Sequence, residues 1–130
     1  MSSALNILGI EIAALDLQSA VNYAGNLIQK GCCKGYITFT GVHGIVESQF
    51  SAEIKLAHQN AILSLPDGMP LVWIGKIKGH KRMKRCYGPD FMIKMIEFSA
   101  AKGFKHFLYG GIPGVAEKLK KRMERLYFKG

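Results

Sequence analysis

Asp67 stands in Leu65-Pro66-Asp67-Gly68-Met69-Pro70, between two prolines and beside a glycine, at the end of an apolar stretch. A carboxylate fixed at the edge of a core can serve as a general base, a role usually worth about 10²–10⁴-fold in rate. The same spacing suits an Asx-turn residue that merely caps a helix starting at Met69, and on the residues alone both readings stay open. Arg85 closes a run from Lys76 that holds six cations and no acid. Most such runs are solvated surface. Arg85 differs because Cys86-Tyr87-Gly88 and then a helix start follow at once, so it can be held near a sheet edge. A positioned guanidinium binds phosphate oxygens bidentately, each charge-assisted bond contributing about 1.5–3 kcal/mol.

A third device is the junction Tyr109-Gly110-Gly111-Ile112-Pro113-Gly114, set between an expected strand and an expected helix. Gly110 and Gly111 would let a ligand approach the backbone, and the free N–H groups at a helix start favour phosphate. A tight turn with no ligand explains the same residues. GGxxG is not the GxGxxG dinucleotide fingerprint, and no GxxxxGK[ST] occurs. His43, in TGVHG directly after a strand, falls where open α/β sheets place ligands, whereas His58 and His106 read as packing or solvent-facing residues. Asp16, Asp67 and Asp90 are the only aspartates, no two acids have DxD spacing, and the four His form no closely spaced pair. No metal and no cofactor is therefore expected, and any diphosphate would be neutralised by Arg, Lys and helix N-termini.

The elements that must position these residues alternate. Asn6 to Ile12 reads as a short strand, and Asp16 caps a helix with Leu17, Ala20, Val21, Ala24, Leu27 and Ile28 on one face, ending at Gly31. Tyr36 to Thr40 is a β-branched and aromatic strand, followed by helical pattern from about Ile45 to Leu63. Ser64 to Gly68 reads as a break, Met69 to Ile77 as a short core helix, and Pro89 opens a helix that runs to Gly103. Lys105 to Tyr109 reads as a strand before a last helix carrying Val115, Leu119, Met123 and Leu126 inward. This alternation predicts an α/β fold with a mainly parallel sheet and flanking helices, in a single domain over residues 1–130.

Composition bounds the function. With 48% hydrophobic and 21% charged residues, the 130-residue chain excludes disorder and small disulfide scaffolds. Residues 1–75 carry a net charge of −2 and residues 76–130 a net charge of +11, a field that attracts phosphate-bearing partners. No run of about twenty apolar residues and no basic leader is present, which predicts a soluble, cytoplasmic protein. Cys32, Cys33 and Cys86 lack CxxC spacing and are expected to be reduced thiols without metal.

Four segments, TFTGVHGIVES, LPDGMPLVW, RCYGPDFM and HFLYGGIPGVAEKLKKRM, together resemble the WecG/TagA/CpsF glycosyltransferases of bacterial surface-polysaccharide and wall teichoic acid assembly. The resemblance runs from about Leu5 to Tyr127. It implies a Rossmann-like α/β fold and metal-independent, inverting transfer of a sugar, often of the N-acetylmannosamine type, from a UDP-sugar to a lipid-diphosphate-linked acceptor at the membrane surface. By the same resemblance Asp67 deprotonates the acceptor hydroxyl and Arg85 stabilises the departing UDP. The family's threonine falls on Thr40, with Thr38 as the alternative. Many members carry an asparagine shortly after that threonine where this chain reads Gly41-Val42-His43, so His43 is expected to take the sugar contact. Members are longer, which makes the chain resemble the amino-terminal part of such an enzyme. A second copy or companion subunit is then expected to supply the rest, at the inner face of the membrane. The competing readings are an idle nucleotide-sugar-binding or partner subunit and a basic nucleic-acid-binding module. The last is disfavoured by the absence of interleaved aromatics and of any nucleic-acid-binding motif, so no nucleic-acid partner is expected.

Overall fold

The computed structural model describes residues 4–31 and 34–128; Cys32 and Cys33, and the thiol state expected of them, lie outside the described residues. The chain divides into two compact units, residues 1–91 and 92–130.

The first unit opens with a hairpin, not a single strand. β1 (Ala4–Ile7) and β2 (Ile10–Ala13) pair antiparallel, with Ile7 opposite Ile10. Leu8 and Gly9 both have positive φ, 50° and 89°, and the Gly9 N–H donates to Asn6 Oδ1 at 2.9 Å. Two left-handed residues twist a two-residue loop as the flanking strands require, and this folds the expected Asn6–Ile12 strand back on itself. Leu5, Ile7, Ile10 and Ile12 alternate into one core cluster with Ile45, Leu71 and Met83.

α1 (Leu17–Lys30) follows as expected. Asp16 accepts from the Ser19 N–H at 2.8 Å, and Gly31, at φ 65°, donates to the Ile28 carbonyl. The hydrogen bonds from Ser19 hold the Asp16 carboxyl below the usual carboxylate range. β3 (Ile37–Thr40) leads into α2 (Val42–Phe50). The long helix expected from Ile45 to Leu63 breaks at Ser51, whose extended backbone and hydroxyl cap α3 (Ala52–Gln59), with Oγ accepting from the Ile54 N–H at 3.3 Å.

The expected break at residues 64–68 is instead largely strand. β4 (Leu63–Pro66) is buried along its whole length and pairs parallel with β3, Ile37 opposite Leu63 and Thr40 opposite Pro66. Pro66 is tolerated because it is the last residue of the strand. β2 packs beside β4, and a second core cluster gathers Ala13, Ala20, Leu63, Leu65 and Cys86. α4 (Met69–Ile77) packs against β4. The described strands therefore form one parallel pair and one antiparallel hairpin in a mixed α/β architecture, where a mainly parallel sheet was expected.

α5 (Gly88–Lys102) begins in the first unit and continues into the second, which also holds α6 (Val115–Tyr127). Residues 105–109 are not a strand: no described strand pairs with them, and Phe107 and Tyr109 are about nine-tenths exposed. Alternating side chains suggest a strand, but a strand exists only where its backbone groups find a ladder. His106 is tied locally instead. Its Nε2–H donates to Ser99 Oγ at 2.7 Å, and the Ser99 hydroxyl donates to the Met95 carbonyl at 2.6 Å. No described helix is long and apolar enough to cross a membrane.

Candidate active site

The parallel pair determines where the chemistry can sit. Because Thr40 and Pro66 are opposite one another, the chain leaves β3 and β4 at the same edge and enters α2 and α4 from there. Both helices are capped by an extended glycine, Gly41 and Gly68, without a side-chain hydrogen bond. A Cβ built on Gly68 would stand 3.6 Å from Gly41 Cα and 4.0 Å from the Val42 nitrogen, so the two helix starts lie side by side. Their dipoles and first-turn N–H groups make this edge favourable to negative charge. It is also where open parallel sheets hold ligands.

Asp67 sits between β4 and α4, and its N–H donates to the Thr40 carbonyl at 2.9 Å. The Thr40 side chain is buried, and its hydroxyl lies 3.0 Å from that of Thr38, which lies 2.8 Å from that of Ser64 across the pair. These hydroxyls pin the strand ends from which the Asp67 loop departs.

Arg85 is anchored by its neighbours. The Lys84 N–H donates to the Leu15 carbonyl at 3.3 Å and the Cys86 N–H to the Pro66 carbonyl at 2.7 Å, so the backbone on both sides is tied to the sheet region. Cys86 is fully buried; burial, with smaller contributions from the charges of Asp16 and Asp67, pushes its thiol up to about 11. The Arg85 side chain turns to Asp67: Nε donates to the Asp67 carbonyl at 3.1 Å, and Nη2 stands 3.4 Å from Asp67 Oδ1. The guanidinium carbon lies 4.6 Å from the centre of the Tyr87 ring. Asp67 Oδ1 is itself buried and accepts no hydrogen bond among the described residues, although the side chain as a whole is 26% exposed. A buried carboxylate oxygen without a hydrogen-bond donor is costly, and Arg85 supplies the nearest opposite charge.

Thr40, Asp67 and Arg85 are thus brought together in the first unit. His43 is on the first turn of α2, 86% exposed, with Nε2 2.7 Å from Glu47 Oε1. Gly110 and Gly111 belong to the second unit, where they and Gly114 take positive φ of 113°, 75° and 89° in the turn before α6. Three left-handed glycines explain that composition by backbone demand. Tyr87 and Ser64 were not singled out by sequence. Tyr87 had one available signal, an aromatic two residues after the arginine. A cleft of about 580 Å³ elsewhere in the first unit, lined by Asn6, Glu11, His58 and Ser64 among others, does not include Asp67 or Arg85. No three His, Cys, Asp or Glu side chains among the described residues come together as a metal site would require.

A carboxylate and a guanidinium at the carboxyl edge of parallel strands, flanked by two helix starts, define an α/β site suited to an anionic ligand. The model of the WecG/TagA/CpsF glycosyl transferase family matches residues 5–129, and the chain belongs to that glycosyltransferase family. No curated protein matches the chain.

Proposed function

We propose that the chain transfers a sugar of the N-acetylmannosamine type from a UDP-sugar to a lipid-diphosphate-linked acceptor in bacterial surface-polysaccharide or wall teichoic acid assembly, inverting the anomeric centre without a metal ion. The observation that carries the reading is the pairing of Asp67 with Arg85 at an edge favourable to negative charge, in a chain of this family. The Asp67 carboxylate takes the proton of the acceptor hydroxyl as its oxygen bonds to the anomeric carbon. The bond from that carbon to the β-phosphate oxygen breaks, and UDP leaves with the electron pair, its charge met by Arg85 and the N–H groups at the starts of α2 and α4. His43, exposed on the first turn of α2, contacts the donor sugar, and Thr40 holds the loop that carries the base.

The proposed fold of the whole is Rossmann-like. The proposed setting is cytoplasmic, at the inner face of the membrane where the lipid-linked acceptor lies. A second chain, another copy or a companion subunit, is proposed as a further partner because Phe107, Tyr109 and Ile112 of the second unit are largely exposed. The Gly110-Gly111 turn of that unit offers open backbone to a phosphate. The test is an assay of purified chain with UDP-N-acetylmannosamine and a lipid-diphosphate-linked sugar acceptor. The expected product carries one added sugar with inverted anomeric configuration; retained configuration would refute the single-displacement mechanism.

A further inference from the structure

We propose that the cleft of the first unit that excludes Asp67 and Arg85 is a second binding site, and that its ligand is an uncharged sugar ring. The site stands on its own residues and does not depend on the proposed transfer reaction.

The cleft holds about 580 Å³, within the roughly 300–1,000 Å³ usual for small-molecule sites. One wall is the outer face of the β1–β2 hairpin, where Asn6 and Glu11 are directly opposite one another. The other wall is the end of α3 and the start of β4, with His58, Gln59, Ile62 and Ser64. Leu5, Ile7, Ile10 and Ile12 carry the hairpin's other face into the core, so Asn6 and Glu11 have no packing role there.

Ser64 is the group that asks for a ligand. It is 4% exposed, and its hydroxyl accepts from Thr38 at 2.8 Å, yet its own proton meets no acceptor among the described residues. A buried donor of this kind is costly to leave unmatched, and Ser64 lines the cleft. Across from it, Asn6 Oδ1 is taken by the Gly9 N–H at 2.9 Å, which leaves the amide N–H groups of Asn6 to donate. The Glu11 carboxylate only accepts, and it forms no ion pair among the described residues. The walls therefore present donors and an acceptor together. A sugar hydroxyl donates and accepts at once, whereas a phosphate only accepts and would be repelled by Glu11. The one lysine at the rim, Lys55, whose Nζ would stand 3.4 Å from a Cβ built on Gly9, offsets Glu11, so the cleft favours no net charge. His58 is a fixed part of the wall, because its Nδ1 lies 3.0 Å from the Ile54 carbonyl and must donate to it. Ser64 precedes Asp67 by three residues, which puts this site about 10 Å back along β4 from the edge that suits anions.

N-acetylglucosamine is the probe, and the backbone amide resonances of the ¹⁵N-labelled full chain are the readout. The amides of Glu11, Gln59 and Ser64 are expected to move and to saturate at millimolar sugar, with UDP and inorganic phosphate failing to displace it. In Glu11→Gln, an exposed position whose folding is checked by circular dichroism, the sugar is expected to bind about tenfold more weakly, since a charge-assisted hydrogen bond is replaced by a neutral one. Unmoved amides in the native chain, displacement of the sugar by UDP or phosphate, or an affinity unaltered by Glu11→Gln overturns the site. Each of these outcomes leaves the reading of Asp67 and Arg85 untouched.

Discussion

The Asp67 N–H donates to the Thr40 carbonyl at 2.9 Å, so the residue ending one parallel strand holds the residue leaving the other. The bond continues the β3–β4 ladder one step past Pro66, which has no N–H to contribute. It fixes the backbone of Asp67 where both helix starts converge. The position of the candidate base is therefore a property of strand register and not of a free loop.

Asp67→Asn retains the shape of the side chain and removes its capacity to take a proton. Turnover is expected to fall by about 10²–10⁴-fold. Single-turnover assays of the two proteins at saturating donor measure this, and undiminished turnover in the variant would remove Asp67 from its role.

Donor binding is expected to ignore chelators and to weaken with salt, because in the proposed mechanism Arg85 and backbone N–H groups meet the diphosphate. Titration of UDP with and without EDTA, at low and high KCl, measures both. Arg85→Ala should weaken binding by about tenfold or more, the worth of one charge-assisted hydrogen bond. Loss of binding on chelation would show that a cation takes the place assigned to Arg85.

Cys86 gives a pH-dependent expectation. Its thiol is pushed from 9.0 to about 11 in the folded chain by burial, and then by Asp16 and Asp67. Between those pH values the unfolded chain has lost a proton that the folded chain keeps, so this group stabilises the fold below pH 9, and its contribution is lost as pH rises through about 11. At pH 8 the native thiolate is about 100-fold scarcer than in an ordinary cysteine, and alkylation should be slower by at least that factor. Mass spectrometry of the Cys86 peptide after iodoacetamide treatment, native against unfolded, measures it. Equal rates would show that the thiol is open to solvent.

Legibility differed from element to element for physical reasons. α1 could be read at both ends because Asp16 and Gly31 each do one local job, capping and taking a left-handed φ. α4, α5 and α6 carried their own periodicity. β4 was hidden because Ser64 and Pro66 look like turn residues; only the partner strand shows that the Ser64 hydroxyl is satisfied by Thr38 and that Pro66 sits at the strand's end. The hairpin was hidden because Leu8, a residue that seldom takes positive φ, does so there. In the site, Thr40, Asp67 and Arg85 could be found from their motifs, and the structure brings them together. Tyr87 offered only its place two residues after the arginine, a weak signal because contact between an aromatic face and a guanidinium needs no fixed spacing in a chain.

The hydroxyls of Thr40, Thr38 and Ser64 also form a chain with a direction. Each hydroxyl has a single proton, and Thr38 donates its own to Ser64. The remaining contact at 3.0 Å can then be made only by the Thr40 proton pointing back to Thr38. Thr40 is left with lone pairs and no proton to offer. Because Thr40 is buried, both its proton and that of Thr38 are spent inside the strand pair, so a change at any one of the three hydroxyls would be felt along the other two.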